Sequence, residues 1–87
     1  MLVLNGNGIS GAAGTEATKL LAAGYRHAIP TDASQGYATS LVLFRRGWEG
    51  EARRLALDAG IRSVAPLDGR ISPGYRRYRL VLILGAN

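Results

Sequence analysis

The chain repeats itself. Displacing the sequence by 39 positions lays Leu2, Val3, Leu4, Gly8, Gly11, Ala13 and Ala17 on Leu41, Val42, Leu43, Gly47, Gly50, Ala52 and Ala56. With three residues dropped after the first helix, Gly24, Arg26, Pro30 and Asp32 fall on Gly60, Arg62, Pro66 and Asp68. Each copy, 1–33 and 40–69, reads as strand, glycine turn, helix, glycine stop and a short strand ending at Pro-x-Asp. A further apolar strand is expected at 79–84. A chain of 87 residues is too short to give each copy its own core, so both copies should share one domain spanning 1–87.

The helices are legible from spacing as well as from the repeat. Ala13, Ala17, Leu20 and Leu21 recur at i, i+4, i+7 and i+8, and Trp48, Ala52, Leu55 and Ala56 repeat the pattern. Gly24 and Gly60 follow the last periodic positions, where a left-handed C-cap suits a residue without a β-carbon. Glu49 and Arg53 stand four apart and should pair on a solvated face. Leu2–Leu4, Leu41–Phe44 and Leu80–Leu84 are continuously apolar and should lie centrally, covered on both sides. The mixed strands expected at about Tyr25–Ile29 and Arg62–Ala65 run into Pro30 and Pro66 and belong at the edges. The expected fold class is α/β (α+β): a two-layer sandwich from a duplicated β-α-β unit plus a fifth strand, ferredoxin-like or similar, with both helices on one sheet face.

Charge is uneven. The net +5 comes entirely from residues 44–87, where nine arginines face four acids. That half favours anionic partners without choosing among them. No apolar run approaches the roughly 20 residues that span a bilayer, and no targeting signal is visible, so membrane attachment is expected only through an upstream anchor. With no cysteine, disulfides and thiol chemistry are excluded.

The segments that might carry chemistry are few. Gly6-Asn7-Gly8-Ile9-Ser10-Gly11 matches the spacing G-x-G-x-x-G between a strand and a helix, the position of a dinucleotide loop. The chain is too short for a full dinucleotide fold, and Arg45 and Arg46 replace the loop's start in the second copy, so turn geometry is the expected reason for the glycines. His27, the single histidine, has no triad partner nearby, and the acids form no metal or paired-carboxylate motif; no cofactor and no enzyme constellation are expected. Arg45, Arg46 and Trp48 close the third strand. If the first and third strands are neighbours, these residues and Asn5, Gly6, Asn7 and Gly8 form one rim able to hold a sugar or an anionic polymer. Against that stands the reading of Trp48 as a core anchor. Arg70, Arg76, Arg77 and Arg79, with Tyr75 and Tyr78, make a second basic stretch.

Three segments in order, Val3-Leu4-Asn5-Gly6-Asn7-Gly8-Ile9-Ser10-Gly11, Val42-Leu43-Phe44-Arg45-Arg46-Gly47-Trp48-Glu49-Gly50-Glu51-Ala52 and Val81-Leu82-Ile83-Leu84-Gly85, resemble the C-terminal domain of LytR/CpsA/Psr cell-envelope proteins. Arg46 stands where that pattern suggests proline, and Trp48 where tyrosine is commoner. The resemblance implies a non-catalytic extracytoplasmic module that recognises cell-wall glycan, an anionic wall polymer or a partner protein. Two other functions compete with it. A nucleic-acid-binding domain would use the basic half, although the central strands lack the stacking aromatics of RNA-binding sheets, so no nucleic acid is expected. A phosphate- or nucleotide-binding protein would use the glycine loop.

Overall fold

Both copies of the repeat fold as a strand, a helix and a parallel return strand. The structure is a computed structural model that describes residues 1–9, 11–32, 36–67 and 78–86. The first unit is β1 (Leu2–Asn5), α1 (Ala12–Ala22) and β2 (Ile29–Asp32); the second is β3 (Leu41–Phe44), α2 (Glu49–Ala59) and β4 (Ser63–Pro66). The last strand is β5 (Leu80–Leu84), and the five strands form one sheet in the order β2-β1-β5-β3-β4.

The apolar stripes dictate the layers. Ala13, Ala17 and Leu20 of α1 and Ala52, Leu55 and Ala56 of α2 are buried in one cluster with Val3, Val42, Leu80 and Leu82, so both helices cover the same sheet face. Four of those six helical side chains are alanines, which let each helix lie close to its strands. Leu21 falls outside the stripe and is exposed. The opposite face holds Leu2, Leu4, Leu43, Val81 and Ile83, packed with partly buried Ala65 of β4 and with Leu67, Tyr37 and Tyr78 outside the strands. An RNA-binding sheet would present aromatic rings on such a face; here it presents buried aliphatics instead.

The two glycine stops are built alike. The Tyr25 amide donates to the Leu20 carbonyl and the Gly24 amide to Leu21, while Ile61 donates to Ala56 and Gly60 to Leu57. Gly24 (φ 107°) and Gly60 (φ 71°) supply the left-handed residue that this pair of bonds demands. Beyond them the copies diverge. Four residues separate Gly24 from β2, but only two separate Gly60 from β4. The first return strand therefore begins at Ile29, later than the expected Tyr25–Ile29, and Pro30 pairs with Val3 whereas Pro66 pairs with Phe44. The sequence match of the prolines is not a match of ladder positions.

Both prolines nonetheless solve the same problem. Ile29 donates inward to the Met1 carbonyl and Leu67 inward to Phe44. Donors alternate sides along a strand, so the missing N–H of Pro30 and of Pro66 faces the open edge. Each outer edge is thereby denied a donor to a further strand. β5 needs the reverse treatment. Its Leu-Val-Leu-Ile-Leu run is buried at its first four positions, and it sits in the middle, parallel to β1 and antiparallel to β3. In an interleaved ferredoxin-like order β1 and β3 would be neighbours; here β5 parts them and each unit stays intact.

Polar ties across the helices are sparse. Arg53 and Glu49 pair at i,i+4 on the exposed face of α2, as their spacing implies, at 2.6 Å. The Tyr25 hydroxyl donates to Asp58 at 2.7 Å, joining the end of α1 to α2. Burial first, then that bond to a carboxylate, pushes the phenol from 10.0 up to about 12. The folded chain thus holds this proton more tightly than the unfolded one, so the contribution is complete below pH 10 and lost as pH rises towards about 12. Denaturant unfolding from pH 10 upward should show a fall in stability that is smaller in Tyr25→Phe; an identical slope in both proteins would mean that the bond does not form.

Candidate functional site

The loop after β1 is braced from within. The Asn5 side-chain amide donates to the Ile9 carbonyl at 2.8 Å, while its oxygen accepts from the Asn7 amide at 3.3 Å. The Asn7 oxygen in turn accepts from the Ile9 amide at 2.8 Å. Gly6 donates to the Leu84 carbonyl at 2.9 Å and accepts from Tyr37 at 2.9 Å. A β-carbon at Gly6 would stand 2.6 Å from the Tyr37 ring and 3.0 Å from the Leu84 oxygen, so close approach, not ligand binding, explains this glycine. A phosphate cradle needs a run of unoccupied amides, and those of Gly6, Asn7 and Ile9 are already engaged. Gly8 (φ 79°) and Gly47 (φ 91°) both take the left-handed turn at the start of their helices, as the repeat implies.

The expected single rim does not form. Because β5 lies between β1 and β3, and β1 is parallel to β5 while β3 is antiparallel, the loops after β1 and β3 leave opposite ends of the sheet. Asn5, Gly6, Asn7 and Gly8 stand where β5 ends; Arg45, Arg46 and Trp48 stand where β5 begins. The physical reason is that the most apolar strand must be flanked on both edges, and the outer units have to part to admit it.

What the structure does join is Trp48 and Arg79. The Arg45 amide donates to the Arg79 carbonyl at 2.9 Å, extending the β3–β5 ladder by one rung, and Trp48 donates to Arg45 at 2.9 Å. The indole is half-buried against the helix-side core, and the Arg79 guanidinium carbon lies 4.6 Å from its ring centroid. Trp48 thus packs against the core, as the core-anchor reading expects, and carries the Arg79 cation on its ring. Arg46 is exposed and lines a hollow of about 390 Å³ with Phe44, Gly47, Glu49, Gly50 and Pro66. The nearby acid Glu49 is taken by Arg53. Arg70, Arg76 and Arg77 lie outside the described residues, as do Tyr75 and Asp68. His27 is exposed and its carbonyl accepts from the Met1 amino group at 3.3 Å.

A cleft that no motif announced opens at the end of the sheet opposite Arg45. It measures about 470 Å³ and takes lining residues from both units, among them Asn7 and Glu16 from the first and Arg62 and Ser63 from the second. No run or spacing in the sequence links these positions. Among the described residues no cluster of three or more His, Cys, Asp and Glu side chains stands close enough to hold a metal, and no helix is long and apolar enough to cross a membrane.

Comparison with known proteins agrees with the order of the motifs. No curated protein and no solved structure matches the chain. The model of one family, the LytR cell envelope-related transcriptional attenuator, matches residues 1–87, a span that holds every element from β1 to β5. That full-length match accounts for the glycine loop, the step from β3 into α2 and the central β5 together, and the chain belongs to the LytR cell envelope-related transcriptional attenuator family as a non-catalytic, envelope-associated module.

Proposed function

We propose that the chain is an extracytoplasmic recognition module and that it holds an anionic wall polymer at its basic end, through Arg45, Arg46 and Arg79. The observation that carries this reading is the Arg79 guanidinium stacked on half-buried Trp48, on the ladder rung shared with Arg45. A stacked guanidinium loses little further freedom on meeting an anion, and its edge still offers donors to phosphate or carboxylate oxygens. Among the described residues the acid at this end, Glu49, pairs with Arg53, and Arg46 and Arg79 add positive field there. The loop at Asn5–Gly8 stands at the other end of the sheet and takes no part in this basic site.

The test is co-sedimentation with purified cell wall, with and without its attached anionic polymers, at rising salt. Retention should need the polymers and weaken as salt screens the charges. Arg79→Ala and the Arg45→Ala/Arg46→Ala pair should each lower affinity roughly threefold to tenfold per arginine, about 0.7–1.4 kcal/mol. The Arg76→Ala/Arg77→Ala pair should do less. The opposite ranking would move the site to the second basic stretch, and equal small losses from both pairs would leave only diffuse attraction.

A further inference from the structure

We propose that the cleft between the two units is a second binding site, for a neutral saccharide unit, separate in place and chemistry from the basic end. Its volume of about 470 Å³ falls within the roughly 300–1,000 Å³ typical of small-molecule sites. Its polar lining is Asn7, Glu16, Thr39, Ser40, Arg62 and Ser63. That set combines a carboxylate that accepts only, a guanidinium that donates only, three hydroxyls that do both, and an amide. A sugar ring presents alternating hydroxyl donors and acceptors, which this mixture can meet, while Ile61 and Leu84 offer apolar surface to its C–H groups.

The same inventory excludes the competitors. Among the described residues one carboxylate and one guanidinium line the cleft, a balance that offers no net charge to hold a polyanion. Among the described residues no aromatic side chain lines it, so a nucleobase finds no ring there to stack on. The polar share of the lining is too large for an acyl chain. The two charged groups come from different units, and among the described residues neither forms an ion pair. They are not spent on each other.

The walls are held in place before any ligand arrives. The Ser40 hydroxyl oxygen accepts the Gly85 amide at 2.9 Å, fixing the start of β3 against the end of β5. The Asn7 oxygen is bound to the Ile9 amide at 2.8 Å, which directs the remaining amide nitrogen of Asn7 as the available donor. On the far wall the Ile61 amide is locked to Ala56 at 2.8 Å beside the left-handed Gly60. Pre-organisation of this kind lowers the ordering cost of binding a weakly held sugar.

The experiment is a titration of the isotopically labelled chain with N,N′-diacetylchitobiose, a neutral disaccharide, followed by amide chemical shifts, with glycerol phosphate as the anionic comparison. Shifts are expected at Asn7, Thr39, Ser40, Gly60–Ser63 and Gly85, unchanged in high salt. Glu16→Gln and Arg62→Gln should each weaken binding roughly tenfold, the loss of one charge-assisted bond. Arg62 is exposed and Glu16 half-exposed, so both variants should fold, which their spectra will show directly. The Arg45→Ala/Arg46→Ala pair should bind the disaccharide as the parent does, so loss of wall-polymer retention at the basic end leaves this site standing. Absence of shifts with millimolar disaccharide, shifts confined to Arg45–Trp48, or unaltered affinity in both cleft variants would each overturn the proposal.

Discussion

Gly85→Ala is expected to prevent the chain from reaching its folded state. A β-carbon at that position would lie 2.2 Å from the Thr39 carbonyl carbon, 2.4 Å from its oxygen and 2.6 Å from the Ser40 nitrogen. All three atoms are backbone, so no side chain can swing away to make room. Relief would require the start of β3 to move off the end of β5, breaking the bond from the Gly85 amide to the Ser40 hydroxyl. Overpacking a core ordinarily costs about 1–3 kcal/mol. A rigid backbone contact should exceed that, against a total stability of about 5–15 kcal/mol for a domain of ordinary stability. Gly8→Ala is the comparison: its φ is 79° but nothing lies within 4 Å of the added carbon, so only the left-handed conformation is penalised, by about 1–2 kcal/mol. Thermal and denaturant unfolding of the two variants will read the difference. Equal small losses would mean that the 39–40 segment does not pass over Gly85.

Leu43→Ala should cost about 2–5 kcal/mol. The side chain is completely buried on the sheet face away from the helices, opposite Val81 in the β3–β5 ladder. On that face it packs in one cluster with Leu67, Tyr37 and Tyr78, so truncation leaves a void beneath these side chains. Leu57→Ala, on the solvated side of α2 at 82% exposure, should change stability by less than about 0.5 kcal/mol. A loss below about 1 kcal/mol at Leu43 would place β3 at an exposed position and contradict the covered second face.

These two positions also show how different kinds of information are carried by the chain. Leu43 announces its burial locally, because Leu41–Phe44 is an unbroken apolar run and recurs as Leu2–Leu4. Gly85 announces only the end of a strand. That it must be glycine follows from the passage of Thr39 and Ser40 over it, a contact across 45 residues of sequence. The offset of β2 is an intermediate case. The repeat places Pro30 on Pro66, but two extra residues after Gly24 shift the first return strand, and a two-residue slip keeps the same side chains facing the core, so periodicity does not betray it.

The candidate sites divide in the same way. Arg45, Arg46 and Trp48 were legible as one group because they are consecutive, and the core-anchor reading of Trp48 because it sits on the apolar stripe of α2. The pairing of Trp48 with Arg79 was not legible, since Arg79 belongs by sequence to a different basic stretch. Glu16 and Arg62 carry no motif and meet only where the two units converge.

By itself the sequence determined the two units, their helices, the glycine stops, the edge positions of the proline-bearing strands and the single layer of helices. All of these rest on interactions within a few residues, or on a stripe whose period the backbone geometry imposes. Only the tertiary structure decided that β5 enters between β1 and β3 and runs parallel to one and antiparallel to the other. A continuous apolar strand is acceptable to either neighbour in either direction, because its side chains read the same on both faces and along both senses. The choice is made by how the whole sheet closes over its core, and that choice sends the asparagine loop to one end and the arginines to the other.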